Sequence, residues 1–402
     1  MANQFLGKPL NQLKVLDFST LLPGPYATML MADMGAEVLR IEAIGRHDLV
    51  KAFQPQHNGC SYAYLTLNRN KKAMGLDLKQ AEAVKIVKKL IAEYDVVIEQ
   101  FRPGVMAKLG LDYNILKAIN PKIIYCSITG YGQDGCYKNR AGHDINYLAL
   151  SGLASFSGTQ KSGPVLSGTQ IADIAGGSHH AVMGVLAAVI QRSISGKGQQ
   201  IDISMTDAAF ALNGMFGAGA VGAYIDPKLG QTVLNGGCFY DYYQTKDNRY
   251  LSVGSLEPKF AGLFFDHIGH SEWLKRTSVV DVNEQQALKK DISGVIAQKT
   301  LAEWMTLFDP LDACVEPVLT VSEAAKSSLM VERNMVVDVV SLTGEKVKQI
   351  APAIKFIDSA QITKGDDMYV SEPNQASTTE ILLNIQYSPD QINNLLQSHV
   401  VK

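Results

Sequence analysis

The first 200 residues alternate between two textures. Short apolar runs at 15–18, 37–41, 95–99 and 123–127 read as strands. Helical spacing fills the gaps between them at 26–34, 80–94 and 113–119. The clearest stripe is Ala83, Val84, Ile86, Val87, Leu90 and Ile91, which places one apolar face on a helix. Pro23-Gly24-Pro25 reads as a turn after the first strand, and Gly35 as the stop of the first helix. Strand–helix alternation of this kind predicts an α/β fold whose parallel sheet carries helices on both faces.

A long helix is predicted over 173–193, stopped by Ser195-Gly196-Lys197-Gly198, with a strand at 200–204 behind it. Residues 208–225 carry no charge, close to the length that spans a bilayer. Asn213 and the glycines Gly214, Gly217, Gly219 and Gly222 weaken a lone helix there, so a buried helix with a glycine-rich connection is expected and no membrane span. Residues 235–253 change texture to short strands around Lys246-Asp247-Asn248, and helical segments follow at 259–268 and 301–308. The expected domains are a large one over 1–200, a helix and linker over 201–224, and a small one over 225–329. Residues 330–402 are mixed in pattern and are expected to complete the large domain.

Composition narrows the function classes. The chain of 402 residues has 37 basic and 39 acidic side chains, a net charge of −2, which argues against nucleic acid as a partner. At 46% apolar and 19% charged, it holds an ordinary core and is not a disordered chain. The cysteines Cys60, Cys126, Cys136, Cys238 and Cys314 form no CxxC pair, so neither a disulfide framework nor a zinc site is expected. Residues 1–10 lack a signal-peptide pattern and the last residues are not a peroxisomal address, so a cytoplasmic location is expected.

Candidate chemistry begins with what is missing. Ser19-Thr20-Leu21-Leu22-Pro23-Gly24-Pro25 follows the first strand without a GxGxxG fingerprint, and no Walker A, HExxH or GxSxG pattern occurs. His179-His180 are adjacent on a helix and point apart, so no metal is expected. In Gly142-His143-Asp144-Ile145-Asn146-Tyr147 the glycine permits a sharp turn, Asp144 suits the N-cap of a helix from Ile145, and His143 then sits exposed at its mouth. Asp173 opens the long helix, where free N–H groups can stabilise an oxyanion, and Gly176-Gly177 permit a close approach of backbone or ligand. Glu257 precedes Pro258 at a helix start. From spacing alone, all three candidates read as plain loop, cap or surface residues.

Longer motifs carry more. Leu21-Leu22-Pro23-Gly24-Pro25-Tyr26-Ala27 with Asp33-Met34-Gly35-Ala36-Glu37-Val38-Leu39-Arg40-Ile41-Glu42 resembles the family III CoA-transferases (the CaiB/BaiF superfamily), as do Leu67-Asn68-Arg69-Asn70-Lys71-Lys72, Leu76-Asp77-Leu78-Lys79 and Phe101-Arg102-Pro103-Gly104. Gly142-His143-Asp144-Ile145-Asn146-Tyr147, Asn235-Gly236-Gly237, Leu256-Glu257-Pro258-Lys259-Phe260 and Asp312-Ala313-Cys314-Val315-Glu316-Pro317-Val318 are similar to the α-methylacyl-CoA racemase branch. The resemblance covers the chain to about residue 340.

That resemblance implies a Rossmann-like large domain plus a smaller α+β domain in an interlocked homodimer, with an active site shared between chains. It implies His143 and Asp173 as the proton-handling pair and Glu257, from the partner chain, orienting His143. The substrate it implies is an acyl-CoA thioester, CoA being part of the substrate, with no separate cofactor. Thioester contacts fall on Arg40, Leu76, Asp77, Leu78, Lys79, Glu99, Arg102, Lys108, Gly142, Asp144, Ile145, Asn146 and Tyr147. The expected reaction is racemisation of 2-methylacyl-CoA thioesters in lipid metabolism. An acid and a base on opposite faces of the α-carbon would invert it through an enolate. A CoA-transferase with Asp173 as nucleophile, or a non-catalytic thioester binder, would use the same fold.

Overall fold

A computed structural model describes residues 8–357 and 368–402. Its centre is a sheet of six parallel strands: β1 (Lys14–Asp17), β2 (Glu37–Ala43), β3 (Lys71–Leu76), β4 (Val96–Glu99), β5 (Ile124–Thr129) and β6 (Gln200–Ser204). The spatial order is β6-β5-β4-β1-β2-β3. β1 pairs β2 with Val15 opposite Val38, and pairs β4 with Val15 opposite Val96. This is the doubly wound Rossmann order, and the winding reverses between β1 and β4, where such sheets open a crevice beyond the carboxyl ends of their strands. The central strands are buried on both faces, as parallel sheets require.

Two strand-to-helix steps differ from the sequence pattern for local reasons. Pro23-Gly24-Pro25 is the first turn of α1 (Pro23–Asp33), not a loop before it. Proline fits the first helical position because its missing N–H would be unbonded there anyway. β3 was hidden behind Lys71 and Lys72. Lys71 is nevertheless buried, its Nζ donating to Thr28 Oγ1 (2.7 Å) and the Pro25 carbonyl (2.9 Å) and pairing with Asp17 at 3.5 Å. α2 (Ala81–Ile91) buries Ala83, Ile86, Val87, Leu90 and Ile91 of the predicted stripe and leaves Val84 half-buried. α3 (Tyr113–Ile119) is capped by Asp112.

The chain forms two compact units. The first takes its described residues from Met1–Tyr147, Thr169–Ala209 and Ser328–Lys402; the second is Leu148–Gly168 and Phe210–Ser327. Two boundaries therefore lie elsewhere than the pattern suggests. Gln200–Ser204 pairs along its whole length with Tyr125–Thr129 and is an edge of the sheet, not linker. Residues 148–168 leave the large domain because their bonds lie in the second unit: Asn213 Nδ2 donates to the Ser151 carbonyl (3.0 Å) and Asn235 Nδ2 to that of Phe156. α4 (Asp144–Leu150) leads into that excursion. The chain returns as a π-helix, Ala172–His179, that continues as α5 (His180–Ser195), stopped by Gly196 at φ +70°. By length and composition alone Ala172–Ser195 could cross a membrane. Here it packs on the sheet: a Cβ on Gly184 would lie 3.2 Å from Ile201. Residues 208–225 are broken into α6 (Met205–Ala211) and the helix Gly217–Ala223 by a turn at Leu212–Gly214.

The second unit builds its own core on a three-stranded antiparallel sheet, β7 (Asp241–Gln244), β8 (Tyr250–Val253) and β9 (Val315–Pro317). Asp247 makes the hairpin turn and also accepts the Leu301 N–H (3.0 Å). Helices α7 (Pro258–His267), α8 (Val282–Ile296) and α9 (Leu301–Phe308) pack Phe264, Phe265, Leu288, Ile292, Trp304 and Phe308 together. The C-terminal part of the first unit adds a ribbon, β10 (Val336–Val340) with β11 (Lys346–Ile350), and helices α10 (Gln375–Asn384) and α11 (Pro389–Gln397). Arg69 holds it: the guanidinium bonds Asp33 on one side (2.6 Å) and the Ile350 carbonyl on the other (2.7 Å).

Candidate active site

A cavity of about 600 Å³ opens at the carboxyl ends of the strands. Leu21 and Leu22 reach it from the loop after β1, Pro23 from the start of α1, Arg46 from beyond β2, Gln100 and Arg102 from beyond β4, and Gly130 and Tyr131 from beyond β5. His143 and Asp173 both line it. The doubly wound topology thus places these two residues, 30 apart in sequence, at the crevice where the winding reverses.

His143, not Asp144, takes the N-cap position of α4. Its carbonyl accepts the N–H groups of Asn146 (2.8 Å) and Tyr147 (3.3 Å), and its own N–H donates to Asn146 Oδ1 (3.0 Å). Asn146 thus does at the third helical position what glutamate does in a capping box. Among the described residues the His143 imidazole makes no hydrogen bond, and the residue is exposed. Gly142 is needed for space, not for unusual dihedrals: a Cβ there would lie 2.6 Å from the Tyr131 hydroxyl and 2.7 Å from the Tyr147 ring. Tyr147 donates to the Gly142 carbonyl (2.6 Å) and meets Tyr131 edge-on at 5.3 Å.

Asp173 sits on the first turn of the π-helix. Ser178 Oγ bonds the Pro23 carbonyl (2.7 Å) and the Asp173 carbonyl (3.2 Å), and His180 Nδ1 lies 2.7 Å from the Ala175 carbonyl. The last two contacts reach five residues back, the spacing of a π-helix. Gly176 and Gly177 admit the Met205 backbone and Pro23, so their close approach is to protein: a Cβ on Gly177 would lie 3.0 Å from Pro23 Cβ. His179 packs edge-on to Tyr26 at 5.9 Å while His180 bonds backbone, so the pair divides. The helix-start N–H groups expected to be open are engaged: that of Asp173 donates to Asp144 Oδ1 (3.0 Å) and that of Ile174 to the Gln170 carbonyl (3.0 Å). Burial pushes the Asp173 carboxyl up to about 6; the Asp144 charge adds to this and His143 opposes it.

The predicted thioester contacts scatter. Gly142, Asn146, Tyr147 and Arg102 line the cavity. Asp144 and Ile145 do not; Asp144 turns to Asp173, and Ile145 is exposed. Arg40 is buried in β2, paired with Glu42 and stacked over Tyr64 at 4.9 Å. Leu76 lies in the core and bridges Val401, and Asp77 accepts from Lys79 N–H (3.2 Å) and Gln80 Nε2 (3.1 Å). Leu78 packs on the same core, and Lys79 and Lys108 are exposed. Glu99 is buried at the edge of a second polar cavity of about 100 Å³ that it shares with Arg102. Burial pushes its carboxyl up to about 7, against the Ser127 and Phe101 hydrogen bonds. Glu257 belongs to the second unit, exposed at the N-cap of α7 with no side-chain capping bond.

Three cations that the sequence reading passed over, Arg46, Lys138 and Arg140, join Arg102 on the main cavity wall. Lys138 and Arg140 could have been found from their nearness to His143; Arg46 carries no local signal, because only the sheet order brings the end of β2 here. Four cations on one concave wall suit a polyanion.

The profile of CoA-transferase family III matches residues 10–366. The chain is 38% identical over 318 residues to the alpha-methylacyl-CoA racemase of Mus musculus, covering 78% of this chain and 79% of that protein. It is 31% identical over 354 residues to the succinyl-CoA:glutarate CoA-transferase of Mus musculus, covering 87% and 81%. The crystal structure of a CAIB/BAIF family protein from Brucella suis superposes with a TM-score of 0.81 at 26% identity, over 94% of this chain and 99% of that one.

Proposed function

The chain belongs to CoA-transferase family III, and we propose that it inverts the carbon next to the thioester of 2-methylacyl-CoA substrates. The observation that carries this reading is the presence of His143 and Asp173 in one cavity, together with the 38% identity to a racemase. The α-carbon of a thioester is a weak acid, so one group must remove its proton while another returns a proton from the opposite face. In one direction the Asp173 carboxylate takes the proton and protonated His143 delivers its own; in the other the roles exchange. The charge passes through the enolate between the two transfers and leaves no net change. Because the Asp173 and Ile174 N–H groups are engaged, the enolate oxygen takes its stabilisation from elsewhere on the wall. Arg46, Arg102, Lys138 and Arg140 supply the positive field for the phosphates of CoA.

In this reading two chains form a homodimer, and Glu257 of one approaches His143 of the other and favours the imidazolium. Within the second unit, the exposed apolar side chains of the adjacent Tyr224 (92%) and Ile225 (69%) support a further packing surface. The transferase reading is favoured by the succinyl-CoA:glutarate relative and by the placement of a carboxylate, Asp173, in the cavity. It would make that carboxylate attack the thioester carbonyl and expel CoA. Incubation of 2-methylacyl-CoA in heavy water without an acceptor acid separates the two. Deuterium at the α-carbon with loss of chirality is the expected outcome; no exchange, with CoA passing to added carboxylates, would refute the racemase reading.

A further inference from the structure

Asp144 directly follows His143, yet its carboxylate serves the other proton-handling residue. Oδ1 accepts the backbone N–H of Asp173 at 3.0 Å, joining segments 29 residues apart. α4 does not use this carboxylate as a cap, because His143 and Asn146 bond each other across its first turn. The π-helix in turn has no side-chain cap of its own. We propose that Asp144 is a positioning residue: its carboxylate fastens the Asp173 backbone to the start of α4, beside His143, and holds a fixed negative charge next to the Asp173 carboxyl. The proposal rests on the two-base reading for its catalytic meaning.

The groups around Asp173 show why this one matters. From the α4 side the neighbours are Asp144, His143 and the Tyr147 phenol, and across the cavity wall stand Arg46, Arg102, Lys138 and Arg140. Among these described neighbours only Asp144 is a second carboxylate. Burial alone favours the neutral Asp173, and the Asp144 charge adds to it. A carboxyl that titrates close to the working pH can give a proton in one direction and take it in the other. The backbone bond meanwhile fixes the distance between the two proton carriers, on which transfer depends steeply.

The test separates charge from bond. Asp144→Asn keeps an oxygen to accept the Asp173 N–H and removes the charge; Asp144→Ala removes both. The 402-residue chain, labelled with ¹³Cγ-aspartate and assigned with Asp173→Asn, is titrated by carboxyl NMR. In parallel, the pH profile of α-proton exchange is measured on a 2-methylacyl-CoA. The Asp173 midpoint is expected near 6 in the parent and lower by about 0.5 unit or more in both variants. The acid limb of exchange should move the same way, and Asp144→Ala should lose roughly tenfold more kcat than Asp144→Asn. An unmoved midpoint in Asp144→Asn would overturn the proposal. So would a raised KM with an unmoved acid limb, which would make Asp144 a thioester contact alone. The carboxyl titration needs no turnover: a parent protein without exchange would refute the racemase reading and leave the NMR shift to decide Asp144.

Discussion

Asp173 titrates near pH 6 because it is half-buried and stands beside Asp144. Its ordinary value is 3.8, so the folded chain binds this proton more tightly than the unfolded chain does. Stability is therefore lost as pH rises from about 4 to about 6, and the whole cost stands above 6. Discounted for partial exposure, that cost is about 1–2 kcal/mol. Asp173→Asn should abolish inversion and yet raise Tm by about 1–3 °C at pH 8, a gain that vanishes near pH 4 in thermal melts. Glu99, 4% exposed and pushed to about 7, carries the same sign over the window from 4.5 to about 7. Glu99→Gln should stabilise by about 2 kcal/mol at pH 8 and by nothing near pH 4, measured by urea unfolding at both. At this scale His143 and Asp173 were picked out as candidates through motif resemblance, whereas spacing alone read His143 as a loop residue and Asp173 as a cap. Arg46 was not legible, because its relevance is a matter of which strand ends converge.

Elements were readable where their apolar period was clean. The stripe of α2 and the Asp247 hairpin are both where the pattern puts them. α8 was missed although Leu288, Ile292 and Ile296 recur every four residues; Ser293-Gly294, weak helix formers, interrupt the stripe. β3 was missed because its first residue is a buried lysine. Lys71 has a lowered pKa, about 8, because it lies wholly in the core, and Asp17 pulls the other way. Lys71→Ala would leave Asp17, 0% exposed, without its cation. The expected loss is about 3–5 kcal/mol, and Lys71→Met should lose the same charge but keep the packing, which chemical denaturation can compare. Gly142 belongs to this scale too: its hydrogen is all that fits between two tyrosines, so Gly142→Ala must displace the loop that carries His143. That variant should lower kcat about 10- to 100-fold with a smaller change in Tm, read from exchange kinetics and a thermal melt.

For the molecule as a whole, the strand order gathers the loops after β1, β2, β4 and β5 around one cavity. Its four cations predict that Arg46→Ala with Arg140→Ala raises KM for the CoA thioester by at least about tenfold and flattens its dependence on salt. Steady-state kinetics from 50 to 300 mM salt, over which the Debye length falls from about 14 Å to about 6 Å, would check it. Sequence alone determined the α/β alternation, the family and the two proton-handling candidates, because these are written in local period and in contiguous motifs. Tertiary structure alone decided which basic residues face the cavity and that Arg40 and Arg69 do not, being consumed by Glu42 and Asp33 inside the fold. It also decided that Asp144 bonds Asp173 instead of capping its own helix. The physical reason is common to these cases: a charge or a hydrogen-bonding group is spent on whichever partner the fold brings nearest, two residues away for Arg40 but 36 for Arg69 and 29 for Asp144.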